Sequence, residues 1–339
     1  MNATKIILIF LLLFPFFATA QESSRPRLLS LEWADTLHKP RVRTAAIGAA
    51  VTYPLAMTGL WQAWYADYPL GEFHVFNDNQ EWNQMDKMGH WFSGYQEARL
   101  GWHLSRWAGF NNKKAAWIGF GFGQLVQTSF EVMDGFSEQW GFSPGDIGFN
   151  TIGTGLFTAQ QLGWGQQRIV MKMSGMPVKY NTAPIEAYQG VGAQVTLQQR
   201  AAALYGTGPV NVFLKNYNTL VIWASVNPRS FMGDRAQWCP KWLNIAAGMG
   251  SDNLFAGFGY DWQDDKNCTG PDCLAYRVDP VEYPRTRQWL LSLDVDLTKI
   301  PVKNRYLKTL LSAVNILKIP SPTLEWTSQG KVRFHGLYF

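Results

Sequence analysis

Between residues 80 and 170, titratable side chains recur about one helical turn apart inside stretches that carry few other charges. Asp86 and His90 share one helical face, as do Glu131 and Asp134, and Asp146 and Asn150, because residues three or four apart are neighbours on a helix. Ionised groups are costly among apolar helices, so such faces turn inward and pair. That demand predicts a bundle whose three polar faces converge.

Residues 82–107, 113–133 and 146–168 read as three of its helices. A fourth, residues 44–66, runs without a charge and ends in Trp61, Trp64 and Tyr65, aromatics that favour a bilayer interface. It is a spanning candidate, interrupted by Pro54. Its Ala, Gly and Thr content makes it only weakly apolar, and a helix buried in a protein bundle fits it as well. Gly119, Gly121 and Gly123 lie in the uncharged run 115–130 and suit close helix contact. Ser143-Pro144-Gly145-Asp146 reads as a helix start, with Ser capping, Pro in the first turn and Asp on unpaired backbone N–H groups.

Charged residues are 16% of the chain, against roughly 25% in soluble domains. With aromatics at 15%, that points to lipid contact. The net charge of +5 is scattered, and no basic stripe interleaves with aromatics, so nucleic acid is excluded as a partner. The expected partners are membrane lipid or other envelope components; oligomeric state is left open.

The first residues read as a secretory signal, residues 1–20: Lys5, an apolar run, then Ala18-Thr19-Ala20 with cleavage after Ala20. No lipidating cysteine follows. Residues 21–43 form a polar lead-in containing Arg25, Arg27, Lys39, Arg41 and Arg43. Export is expected, to the periplasmic side of the cell envelope, with outer-membrane association open.

After about residue 175 alternation replaces helical spacing. Trp289, Leu291, Leu293, Val295 and Leu297 alternate with Leu290, Ser292, Asp294 and Asp296, the period of a half-buried strand. Val332, Phe334 and Tyr338 repeat the pattern, and residues 217–226, 242–249 and 254–260 are weaker strand candidates. Residues 304–318 place Leu307, Leu310, Leu311, Val314 and Leu317 on one helical face, an element expected to cover a core. The terminal Leu337-Tyr338-Phe339 is similar to the aromatic end of outer-membrane barrels, but about six strand candidates fall short of the eight a closed barrel needs. Cys268 and Cys273 bracket a short loop and suit a local disulfide that leaves Cys239 unpaired; three free thiols are the alternative.

The expected fold is therefore α+β. An N-terminal membrane-associated helical bundle of about four helices (44–170) precedes a small, mainly antiparallel β region (175–339) with one amphipathic helix.

For chemistry, the candidate catalytic residues are His90, Glu131, Asp86 and Asp146, with His90 as acid or base and a carboxylate orienting it. Lys87, Tyr95, Asp134 and Asn150 are candidate binding residues, Lys87 for phosphate charge. A metal bound by His90, Asp86, Glu131 and Asp134 is the weakest option, and no metal or cofactor is assigned. His103 lies off the His90 face and is left out.

The succession Asp86-Lys87-x-Gly89-His90, Glu131-x-x-Asp134-Gly135, then Trp140-Gly141-Phe142-Ser143-x-x-Asp146-x-x-x-Asn150-x-x-Gly153 resembles the uncharacterised family of predicted periplasmic lipoproteins that includes the YfiM proteins. It is similar, more loosely, to VanZ-like membrane proteins. Residues 214–218, 292–297 and 318–325 resemble the extended Bacteroidetes-type form. The resemblance implies a compact helical membrane-associated fold in a Gram-negative envelope and carries no activity. The chain departs from it in lacking the lipidated cysteine. The function expected is an envelope protein with a structural or interaction role built on a polar network; the alternative is a membrane-embedded enzyme acting on a lipid or cell-wall precursor.

Overall fold

The computed structural model describes residues 28, 30–65, 69–190, 192–208, 215–264, 268, 270 and 272–339. The expected signal, residues 1–20, and the lead-in as far as residue 27 lie outside the described residues. The chain forms two units. One comprises Met1–Asp78, His90–Arg168 and Pro301–Ala313; the other comprises Asn79–Gly89, Ile169–Ile300 and Val314–Phe339.

The first unit is built on helices α1 (Lys39–Trp64), α2 (Met85–Trp107, whose first turn falls in the second unit), α3 (Asn112–Gly135) and α4 (Pro144–Gly163). The starts of α1, α3 and α4 are capped by a side chain: His38 accepts from the Arg41 amide, Asn111 from Lys114 and Ser143 from Asp146. Arg41 of the basic lead-in is fully buried, donating to the carbonyls of Glu32 (2.6 Å) and Trp107 (2.9 Å) with its guanidinium over the Trp107 ring.

Glycine sets how closely these helices approach. A Cβ on Gly153 of α4 would lie 2.2 Å from the Trp91 carbonyl oxygen of α2, and one on Gly119 of α3 would lie 2.3 Å from that of Ala98. Of the three α3 glycines expected to mediate contact, Gly119 and Gly123 do so and Gly121 faces open space. Residues 119 and 123 are one turn apart, which puts 121 on the far side.

The expected membrane-associated bundle is corrected here. Among the described residues, no helix is long and apolar enough to cross a membrane. In α1 the Ala, Gly, Thr and Tyr residues dilute Ile47, Val51 and Leu55. In α3 and α4 the buried positions include Gln127, Glu131, Asp146, Asn150, Thr154 and Gln161. The scarcity of charge here goes with a largely amide and hydroxyl polar interior around a few carboxyls. The α+β class itself stands.

The second unit holds a six-stranded antiparallel sheet in the order β1 (Ile169–Gly175), β4 (Leu220–Val226), β5 (Leu243–Asp252), β8 (Thr286–Val295), β9 (Ser321–Thr327), β10 (Val332–Tyr338). Two hairpin sheets, β2 (Pro184–Glu186) with β3 (Gln194–Thr196) and β6 (Asp261–Gln263) with β7 (Ala275–Arg277), surround a core of Leu197, Phe255, Trp262 and Tyr276. Helix α5 (Leu197–Tyr205) follows β3 through a capping box of Thr196 and Gln199. Strand β1 has no counterpart in the sequence reading, since its run of Ile, Val and Met around Lys172 hides the alternation. Residues 254–260 form bends, not a strand.

The large sheet curls. Beyond β9, the run-in at Ile316–Lys318 pairs in parallel with β1, through Met173 N to Ile316 O and Lys318 N to Met173 O, both 2.9 Å. Its inner side combines a small apolar cluster of Val221, Trp223, Ala246 and Leu290 with buried charges. Lys172 and Asp294, both wholly buried, meet at 2.8 Å, and Ser225 donates to the same carboxylate at 2.6 Å. Lys318 lies 4.7 Å over the Trp223 ring, and burial brings its pKa down to about 8. Glu325 holds His335 at 2.6 Å. Trp223 fits because β5 presents Gly248 there: a Cβ would press on the indole at 2.6 Å.

The alternation read in residues 289–297 is therefore present with its faces exchanged. Ser292, Asp294 and Asp296 are buried, whereas Trp289, Leu291 and Leu293 are exposed. The amphipathic helix α7 (Arg305–Val314; α6 is Pro228–Met232) likewise buries no residue and leaves Leu307, Leu310 and Val314 exposed, so it does not cover a core. Cys268 and Cys273 are joined in a disulfide, and Cys239 is a buried free thiol.

Candidate functional site

The polar groups of the helical unit meet around His90. Helix α3 contributes Gln127 and Glu131, and α4 contributes Asp146 and Asn150; each pair is four residues apart, so one helical face delivers both. The His90 Nδ1 faces three oxygens: Asn150 Oδ1 at 3.0 Å, Gln127 Oε1 at 3.3 Å and Glu131 Oε1 at 3.6 Å. With the Asn150 and Gln127 carbonyl oxygens as its hydrogen-bond partners, Nδ1 in its N–H form donates to them. Nε2 lies 3.6 Å from Asp146 Oδ1, ionic range but too long for a hydrogen bond.

From this centre the network extends both ways. Gln127 donates through Nε2 to Glu97 at 2.8 Å, two turns along α2 from His90. The other Glu131 oxygen accepts the Ser143 amide at 3.3 Å, while the Ser143 hydroxyl caps α4 and donates to Asp78 at 2.6 Å. Burial is the main cause that pushes both Glu97 and Glu131 up to about 8. For Glu131 the His90 charge opposes the rise, and Asp146 and Asp134 add to it. Both carboxyls thus hold their protons at neutral pH.

The structure brings together His90, Glu131, Asp146 and Asn150 of the expected residues, and Asp86, one turn before His90 on α2, joins them: ligand atoms of Asp86, His90 and Asp146 lie within 4.8 Å of one another, a group that could hold a metal ion. Asp134 is turned to the Tyr65 hydroxyl, which donates to it at 2.6 Å, so the ligand set His90, Asp86, Glu131 and Asp134 is not assembled around one ion. Tyr95 is buried, donating to Gln167 at 3.0 Å and packing edge-on against Phe157. Asp86 and Lys87 belong to the second unit, where Lys87, 1% exposed, holds Asp86 at 3.1 Å and Tyr217 donates to Asp86 at 2.8 Å. A lysine so enclosed does not meet a phosphate at the surface. His103 packs edge-on to Trp102, with burial taking its pKa down to about 3.

Gln127, Glu97 and Asp78 were not singled out from sequence. The spacing Gln127-x-x-x-Glu131 repeats that of Asp146-x-x-x-Asn150, and His90 to Glu97 is two turns; these signals were legible. Pairing Glu131 with Asp134 obscured them.

The segment that supplies this geometry is the one that comparison recognises. Residues 74–176 match the family model described as "Predicted periplasmic lipoprotein (DUF2279)". The match covers α2, α3 and α4 with every member of the His90 network, and it sets the chain among exported proteins on the periplasmic side of the cell envelope. No curated protein and no solved structure matches the chain.

Proposed function

We propose that this protein is a non-catalytic structural or interaction component of the envelope, stationed at the outer membrane, whose helical unit is held in register by the His90 network. The observation that carries the reading is the origin of the groups around His90: one residue from α2 is met by a pair from α3 and a pair from α4, with Ser143 and Asp78 continuing the chain. A network spanning three helices fixes helix register without any reaction, even though Glu97 Oε2, Glu131 Oε1 and Asn150 Nδ2 find no hydrogen-bond partner among the described residues. In the test, His90→Gln and Glu131→Ala are compared with wild type for folded protein in the envelope and for complementation of the defect left by deleting the gene. Complementation falls only as far as folded protein falls; full folding with lost complementation overturns the reading.

One observation favours a second reading, acid–base catalysis. His90 keeps 19% exposure while Glu131 and Asp146 behind it keep 1% and 5%. A solvent-touching imidazole backed by a protonated carboxyl is suited to proton transfer. The same variants separate the readings.

A further inference from the structure

We propose that the outer face of the large sheet is a seat for lipid acyl chains, the surface by which the β unit meets the outer membrane. This deepens the outer-membrane part of the function proposed above and is independent of the His90 network.

The argument starts from the exchange of faces. A sheet in water turns its apolar side inward. Here the inner side holds the Lys172–Asp294 pair, Lys318 and the Glu325–His335 pair beside a small apolar cluster of Val221, Trp223, Ala246 and Leu290. The outward positions of β5 are Leu243, Ile245, Ala247 and Met249, and those of β8 are Trp289, Leu291, Leu293 and Val295. On β9 they are Pro322, Leu324 and Trp326. None is charged. Apolar-out, polar-in alternation is the pattern of strands that face lipid.

Two further observations select lipid over a protein partner. Aromatics stand at both ends of the band: Trp289 pairs directly with Trp326, and the run into β5 exposes Trp238 and Trp242. From Leu243 to Met249, which pairs with Trp289, is about 20 Å at roughly 3.4 Å per residue, close to the roughly 25 Å apolar band between aromatic girdles in lipid-facing sheets. Lys241 and Lys331 stand just outside the band in sequence, suited to anionic headgroups, while Arg287 at the Trp289 end donates to Asn83 and Gln84. Between the aromatics the band offers no hydrogen-bonding side chain, whereas a typical protein interface makes about ten hydrogen bonds.

Backbone chemistry agrees. Strands β5, β8 and β9 are each paired on both sides, so the band presents no unpaired strand edge to hydrocarbon. Beside them, between β4, β5 and α6, an apolar groove of about 420 Å³ is lined by Val226, Phe231, Met232 and Ile245 among others. It extends the same face.

The test uses the full chain and flotation with vesicles of phosphatidylethanolamine and phosphatidylglycerol. The double variant Leu291→Asp, Leu293→Asp, with its fold checked by circular dichroism, is expected to lose on the order of tenfold in vesicle partition. A polarity-sensitive label on Leu293→Cys is expected to shift to the blue when vesicles are added, and this covers the case in which the aspartates prevent folding. Unchanged flotation of the folded aspartate variant, or no shift of the label, overturns the proposal. So does a wild-type dimer in vesicle-free buffer that the aspartates split, which would assign the face to a second copy. Failure here leaves the His90 complementation result untouched.

Discussion

The two units bury polar groups in opposite ways. In the helical unit the network around His90 joins uncharged amides such as Gln127 and Asn150 to carboxyls at Glu97 and Glu131 that burial pushes toward the neutral form. In the β unit the sheet interior keeps full charges and pairs them, Lys172 with Asp294 at 2.8 Å. A buried charge depends on its ionic partner, as Asp294 does on Lys172, whereas a buried carboxyl pushed toward its neutral form, as Glu131 is, depends on keeping its proton. The difference teaches where each unit is brittle.

The largest effect is expected in the sheet. Lys172→Met alone strands the Asp294 carboxylate and should cost about 3–5 kcal/mol, while the double variant Lys172→Met, Asp294→Leu should recover most of it. Urea unfolding followed by tryptophan fluorescence measures both; equal losses in single and double variants would erase the contrast between the units.

The helical unit should instead answer to pH. Glu97 and Glu131 have folded pKa values of about 8, above the ordinary 4.5, so the folded chain keeps protons that the unfolded chain releases. Their stabilising contribution is complete below about pH 4.5 and is lost as pH rises toward 8, on the order of a few kcal/mol. Glu97→Gln copies the neutral acid and can still accept from Gln127. It should flatten the decline between pH 5 and pH 8 and be more stable than wild type at the upper end. Urea midpoints across that range decide it, and an undiminished slope would remove Glu97 from the account.

The smallest effects test helix approach. Gly153→Ala and Gly119→Ala must push against the carbonyls of Trp91 and Ala98 and should lower stability by about 1–3 kcal/mol. Gly121→Ala meets open space and should gain about 0.5–1 kcal/mol through helix propensity. Thermal melts of the three variants rank them; a loss at Gly121 equal to that at Gly153 would show that crossing geometry is not the cause.

Much of the local structure was legible in the residues. The Ser143 cap, the turn-spaced pairs on α3 and α4 and the alternation of β8 and β10 follow from rules that act within a few positions. Less of the site was legible. Glu131 and Asp134, three residues apart, lie within one turn just as Asp146 and Asn150 do at four, yet Asp134 faces Tyr65 and Glu131 faces His90. Which neighbour a carboxyl meets is set by how α2, α3 and α4 cross, and that rests on close approach at Gly119 and Gly153, not on spacing along one helix.

Sequence by itself determined the periods, the caps, the placing of the glycines and the α+β class, because these depend on backbone geometry over one or two turns. Only the tertiary structure decided phase: that Ser292 and Asp294 lie inside while Leu291 and Leu293 lie outside, and that the weakly apolar helices, none long and apolar enough among the described residues to cross a membrane, close on polar side chains. The reason is physical. Alternation assigns residues to two faces of a strand but carries no label for inside, and that label is supplied by the partners a buried charge finds across the curled sheet, as Lys172 finds Asp294.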